Sequence, residues 1–167
     1  MDSVSLYLSL GSNLGDREAN LRTALDLLDE RLGFPPAAIS SMIESDAWMF
    51  DGPCFLNCAV LYRLPLPEVS PRKEARRILD ICKGIEKEMG RTDVEEYALD
   101  GRRIYHSRII DIDILFYGDL RMNTKKLTIP HKGIFDRPFV TGPLSEIAEP
   151  SLKEEFPEYF TNIPQND

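Results

Sequence analysis

The stretch RIIDIDILFYG, residues 108–118, constrains this chain more than any other. Ile109, Ile110, Ile112, Ile114, Leu115, Phe116 and Tyr117 are β-branched, apolar or aromatic, and such residues favour strands. Asp111 and Asp113 interrupt them. Aspartate is disfavoured in strands, and an unpaired carboxylate near a core is costly. Residues two apart on a strand point to the same face. The two carboxylates therefore project together, while Ile110, Ile112 and Ile114 point the other way into a core.

The flanking pattern predicts the rest of the sheet. Val4 to Leu10 reads as a strand ended by Gly11-Ser12-Asn13. Gly15-Asp16 then opens a helix in which Leu21, Ala24, Leu25, Leu28 and Leu32 follow helical spacing, stopped by Gly33 and Pro35-Pro36. Ala38 to Ala47 and Cys54 to Leu64 read as strands. A second helix runs from about Pro71 to Met89, with Ala75, Ile78, Leu79, Cys82, Ile85 and Met89 on its apolar side. Asp93 to Ser107 reads as a long mobile loop, and Lys126 to Ile129 as a short strand pairing back. The order β-α-β-β-α-β implies an α+β, ferredoxin-like fold with C-terminal extensions. Helices would pack on one face of a mostly antiparallel sheet and leave the other face free for a site. The expectation is one domain over 1–167, with about 150–167, acidic and poor in pattern, as a loosely packed tail.

Composition narrows the function classes. The net charge of −8 argues against a nucleic-acid surface, and no apolar run is long enough to span a membrane. The N-terminus lacks a signal pattern, and the odd number of cysteines, three, fits a reducing compartment, so a cytoplasmic protein is expected. Cys54 and Cys58 lack zinc-finger spacing and read as small core residues.

Against the acidic background, cations gather around the aspartate strand: Arg91, Arg102, Arg103, His106 and Arg108 before it, Lys126, His131, Lys132 and Arg137 after it. Adjacent carboxylates repel unless a cation, either arginine or Mg²⁺, sits against them. Taken alone, the pair fits a metal site or a solvated sheet face equally, and the basic cluster fits a polyanion site or a solvated loop equally. Phe55 and Asn57 share one strand face, where a ring beside an amide can receive a flat heterocycle or simply pack.

Taken together, GSNLGD, ESDAWM, FLN, IEKEMGR, RIIDIDILFYG, LTIPH and DRPF, in this order, resemble the 6-hydroxymethyl-7,8-dihydropterin pyrophosphokinases of folate biosynthesis, from about Leu6 to Glu149. The resemblance implies the same ferredoxin-like fold and transfer of pyrophosphate from ATP to the pterin hydroxymethyl group, with release of AMP. It implies that Asp111 and Asp113 hold two Mg²⁺ ions, and that Arg91 and Arg108 act on the phosphates. ATP would be bound by Leu79, Lys83, Glu86, Arg91, Arg108, Ile114, Lys126, Leu127, Thr128, His131 and Arg137, with Glu86 reaching the nucleotide from the flank of its helix. The pterin would lie between Phe55 and Phe139, with Asn57 on its polar edge and Ser45, Trp48, Tyr105 and Asp111 completing the pocket. ATP and the pterin are the expected partners, and no obligate protein partner is inferred. The chain departs from the family in two places. Asp93 stands where a second arginine is common after the helix, and Tyr105-His106-Ser107-Arg108 replaces W-G-P-R. A metal-dependent phosphodiesterase or nuclease would also use paired aspartates, but would not need Phe55, Asn57 and Phe139. A non-catalytic binding module would not need the aspartates beside an arginine-rich loop.

Overall fold

The computed structural model of the protein describes residues 3–45, 54–90, 96–97, 99, 103–104, 109–134 and 138–160, with 96–97, 103–104 and 138 described by backbone alone. The elements run β1 (Ser3–Ser12), α1 (Arg17–Leu32), β2 (Ala38–Ile39), β3 (Ile43–Ser45), β4 (Phe55–Pro65), α2 (Pro71–Glu88), β5 (Glu96–Tyr97), β6 (Arg103–Ile104), β7 (Asp111–Tyr117), β8 (Met122–Asn123), β9 (Thr128–Ile129), α3 (Pro138–Ile147) and α4 (Pro150–Glu155). A 3-10 turn follows at Pro157–Tyr159. The main sheet has the order β2-β4-β1-β7, with β3 also on β4, and every pairing in it is antiparallel. Mixed α and β with an antiparallel sheet is as expected.

Local chemistry sets the helices. The Asp16 side chain accepts the Ala19 N–H at 3.0 Å and caps α1, which ends at Gly33 in the left-handed conformation (φ 84°). Ser70 caps α2, and Pro71 fills its first turn, where no N–H is needed. Both helices cover the sheet face formed by Leu6, Leu8 and Leu10 of β1, Cys58, Val60 and Tyr62 of β4, and Ile112 and Ile114 of β7.

A shift in the β1–β7 register separates two parts of the opposite face. Tyr7 pairs with Phe116 and Leu8 with Ile114, which leaves Leu115 as an extra residue. Beyond the bulge, Leu115 and Phe116 join Tyr7, Leu61, Val140, Leu144, Leu152, Phe156 and Phe160 in a second core. Two expectations change here. The opposite face is not wholly free, because its apolar half needs cover and α3, α4 and the 3-10 turn supply it. Nor are residues 150–160 loosely held, since Phe156 is fully buried and Leu152 and Phe160 nearly so.

Smaller differences are local. The Ala38–Ala47 strand is two short pieces, β2 and β3, within the described residues. The described residues of the 93–107 loop include the antiparallel pair β5–β6. Lys126–Ile129 contributes β9, which pairs with β8. Cys58 and Cys82 are buried, whereas Cys54 lies one residue before β4 and is exposed. No described helix is long and apolar enough to cross a membrane.

Candidate active site

Asp111 and Asp113 project from β7 on the face opposite Ile112 and Ile114, as the period-two pattern requires, and both are half-buried. On the neighbouring strand they pair with Gly11 and Ser9. Gly11 in turn pairs with Asn57 of β4, so Asn57, Gly11 and Asp111 form one row across three strands. Two inter-strand steps separate the amide from the carboxylate, about 10 Å between backbones.

Gly11 belongs to β1 rather than to the turn expected there. A Cβ at this position would lie 2.9 Å from Asn57 Oδ1 and 3.4 Å from the Phe55 ring. Glycine is required because the amide and the ring lean over the backbone. Asn57 is 3 % exposed, and its Nδ2 donates to Ser45 Oγ at 2.7 Å. Thus Ser45, Phe55 and Asn57 come together on the paired strands β3 and β4, with Ser45 opposite Phe55. Phe139 arises from the first turn of α3 and packs against the second core. Trp48 and Tyr105 lie outside the described residues.

On the other side of the row, a cavity of about 190 Å³ opens along the edge of β7 that faces away from β1. Its walls include Leu79, Lys83 and Glu86 of α2, Asp111, Asp113 and Ile114 of β7, and Lys126, Leu127, Thr128 and His131 from the hairpin beyond. Every ATP-binding residue expected from the sequence that falls among the described residues with its side chain is therefore in one place. Arg91, Arg108 and Arg137 lie outside the described residues. Lys132, one of the cations singled out around the strand, also lines the cavity, as do Thr124 and Lys125, which the sequence does not single out. Their signal was their closeness in sequence to Lys126 and His131, on a hairpin that folds back over β7.

The cavity is held from both sides. The His131 N–H donates to the Leu115 carbonyl at 3.1 Å, which docks the hairpin onto the edge strand just past the bulge. His131 Nδ1 accepts the Gly133 N–H at 3.0 Å, so the neutral ring carries its proton on Nε2. That nitrogen lies 3.6 Å from Asp113 Oδ1.

Glu86 does more than line the cavity. It is 4 % exposed, and Oε2 accepts the Ile112 N–H at 2.9 Å. Among the described residues β7 has a strand partner only on its β1 side, so this outward N–H needs another acceptor. Glu86 supplies it, between the two aspartates, while still lining the cavity. Burial raises the pKa of the neighbouring Cys82 thiol, and the carboxylates of Glu86 and Asp113 raise it further.

Among the described residues no three or more His, Cys, Asp and Glu side chains gather as a metal cage. Asp111 and Asp113 could hold a hard cation that keeps its waters and shares substrate phosphates, the habit of Mg²⁺ rather than of a structural zinc.

The family described as 7,8-dihydro-6-hydroxymethylpterin-pyrophosphokinase matches residues 7–149 of this chain. A Porphyromonas gingivalis 2-amino-4-hydroxy-6-hydroxymethyldihydropteridine pyrophosphokinase is 40% identical over 154 residues, covering 91% of this chain and 95% of that protein. The Bacillus subtilis protein of the same name is 33% identical over 149 residues, covering 89% and 80%. A mitochondrial folate synthesis bifunctional protein of Pisum sativum is 39% identical over 143 residues, 85% of this chain but 25% of that longer protein. With a family match from Tyr7 to Glu149 and relatives aligned along most of its length, this chain belongs to the 7,8-dihydro-6-hydroxymethylpterin-pyrophosphokinase family.

Proposed function

We propose that this chain, as one catalytic domain, transfers pyrophosphate from ATP to the hydroxymethyl group of 6-hydroxymethyl-7,8-dihydropterin, releasing AMP. The observation that carries the reading is the row Asn57–Gly11–Asp111. It sets an amide suited to the edge of a heterocycle in one row with a carboxylate suited to a metal–phosphate complex, and the residue between them in that row is a glycine. The strand order, with β4 inserted between β2 and β1, supports the finer assignment of a ferredoxin-like fold.

In this reading the nucleotide occupies the cavity beside β7. Leu79, Ile114 and Leu127 face its base, and Lys83, Lys126, Thr128 and His131 meet its polar groups. Asp111 and Asp113 would hold two Mg²⁺ ions, and the chemistry these would supply is neutralisation of phosphate charge and a more acidic pterin hydroxyl. His131 offers its Nε2 proton toward Asp113 and so keeps a donor at the phosphate end. The pterin lies against Phe55 and Phe139, with Asn57 and Ser45 on its polar edge, and the resemblance adds Trp48 and Tyr105 to its contacts. The resemblance assigns the phosphate contacts to Arg91, Arg108 and Arg137. The residues orient the pterin oxygen in line with the β-phosphorus, and their contribution is positioning and charge rather than covalent chemistry.

The test is incubation with ATP, Mg²⁺ and the pterin, with AMP followed by chromatography. AMP and pterin diphosphate should form in equal amounts and only when all three are present. Release of AMP without the pterin, or formation of ADP, would favour a phosphodiesterase or an ordinary kinase.

A further inference from the structure

Arg17 opens α1, directly after its Asp16 cap. A cation in the first turn of a helix opposes the helix dipole, so this arginine does not serve the helix that carries it. Its guanidinium reaches two other elements. Nη1 donates to the Cys54 carbonyl at 2.9 Å, and Nη2 pairs with the Glu44 carboxylate. Cys54 immediately precedes Phe55 at the start of β4, and Glu44 immediately precedes Ser45 at the end of β3. Ser45 and Phe55 are themselves a register pair, and Ser45 Oγ holds the Asn57 amide.

We propose that Arg17 is a positioning residue for the pterin side of the site. It ties the end of β3 and the start of β4 to the N-terminus of α1, so that Ser45, Phe55 and Asn57 are aligned before the heterocycle arrives. The proposal rests on the reading of those three residues given above. β3 is three residues long and pairs only with β4 among the described residues, and short edge strands open at little cost unless tied down. Glu44 is 61% exposed, so the ion pair alone contributes little. The weight falls on the bond to the Cys54 carbonyl, which fixes the backbone next to Phe55. Arginine suits the task because its planar fork serves a carbonyl and a carboxylate at once, whereas lysine offers one compact ammonium.

The experiment titrates 6-hydroxymethyl-7,8-dihydropterin into wild type, Arg17→Ala, Arg17→Lys and Asn57→Ala, with Mg²⁺ and a non-hydrolysable ATP analogue present. The analogue is also titrated alone, and each protein is melted. Arg17→Ala should weaken the pterin roughly tenfold, and Arg17→Lys by less, with affinity for the analogue unmoved. If Arg17→Ala melts early, Arg17→Lys carries the comparison, and its pterin loss with intact analogue binding is the supporting result. Equal losses for both ligands, or an unchanged pterin affinity while Asn57→Ala weakens it, overturn the role of Arg17 and leave the site reading standing. If Asn57→Ala is also without effect, the site reading falls and this proposal falls with it.

Discussion

Tyr7, Leu61 and Phe116 share a sheet face with Gly11, Asn57 and Asp111, carried by the same three strands, yet the two sets meet different surroundings. The first set is sealed by the C-terminal elements. Phe116 packs against Phe156 with ring centroids 5.1 Å apart and edge-on against Tyr159 at 5.7 Å, and Tyr7 meets Phe116 edge-on at 6.1 Å. In the second set the buried Asn57 amide donates to Ser45 Oγ, and the half-buried Asp111 lines the cavity. The bulge at Leu115 lies between them, as it turns two successive residues of β7, Leu115 and Phe116, into the second core. Apolar burial supplies stability in proportion to area, whereas clustered carboxylates and a flat backbone floor add little to it. The comparison teaches that stability and chemistry are separable along each strand, within a few residues.

The largest expected effect is on the chemical half. Asp113→Asn should lower turnover by about a thousandfold or more, while thermal melting stays at the wild-type value or rises slightly as carboxylate repulsion is relieved. A large loss of stability would break the separation. On the apolar half, Phe156→Ala should cost about 3–5 kcal/mol in denaturant unfolding, with KM for ATP unchanged in the protein that remains folded.

Glu86 lies where the two roles meet, and its substitutions sharpen the boundary. Glu86→Leu leaves the Ile112 N–H without its acceptor and should cost about 2 kcal/mol of stability, with turnover reduced as well. Glu86→Gln retains an acceptor and should recover most of the stability. Amide hydrogen exchange at Ile112 checks the mechanism directly, since only the leucine variant should lose protection. The smallest effect is at the floor of the row. Gly11→Ala places a methyl group 2.9 Å from Asn57 Oδ1, and should weaken the pterin by roughly 1–2 kcal/mol without moving nucleotide affinity.

The sequence revealed the strand that carries the aspartates because alternation is a local property. Ile112 and Ile114 go one way and Asp111 and Asp113 the other wherever the strand is placed. The cavity residues on α2, β7 and the following hairpin were legible through resemblance, motif by motif. What failed was tertiary. Gly11 looked like the end of a strand because nothing nearby in sequence shows that Asn57 and Phe55 lean over it from another strand. Glu86 reads as a flank residue that reaches the nucleotide, and helical spacing cannot show that it also accepts an N–H from a neighbouring edge strand. The C-terminal cover was obscured by its own composition. Pro138, Gly142 and Pro143 blur the helical pattern of α3, and Phe156 and Phe160 sit among Glu154, Glu155 and Glu158. Their burial is decided by the apolar half of a sheet face formed far earlier in the chain.

The claim at the centre is that the paired aspartates of β7 act through metal-bound nucleotide and not through the fold. It is tested most directly by titrating a non-hydrolysable ATP analogue into wild type and the Asp111→Asn/Asp113→Asn double variant, with Mg²⁺ and with a chelator. In wild type, Mg²⁺ should strengthen binding at least about tenfold. In the double variant that dependence should vanish while the melting temperature is unchanged. Magnesium-dependent binding that survives both substitutions would contradict the account.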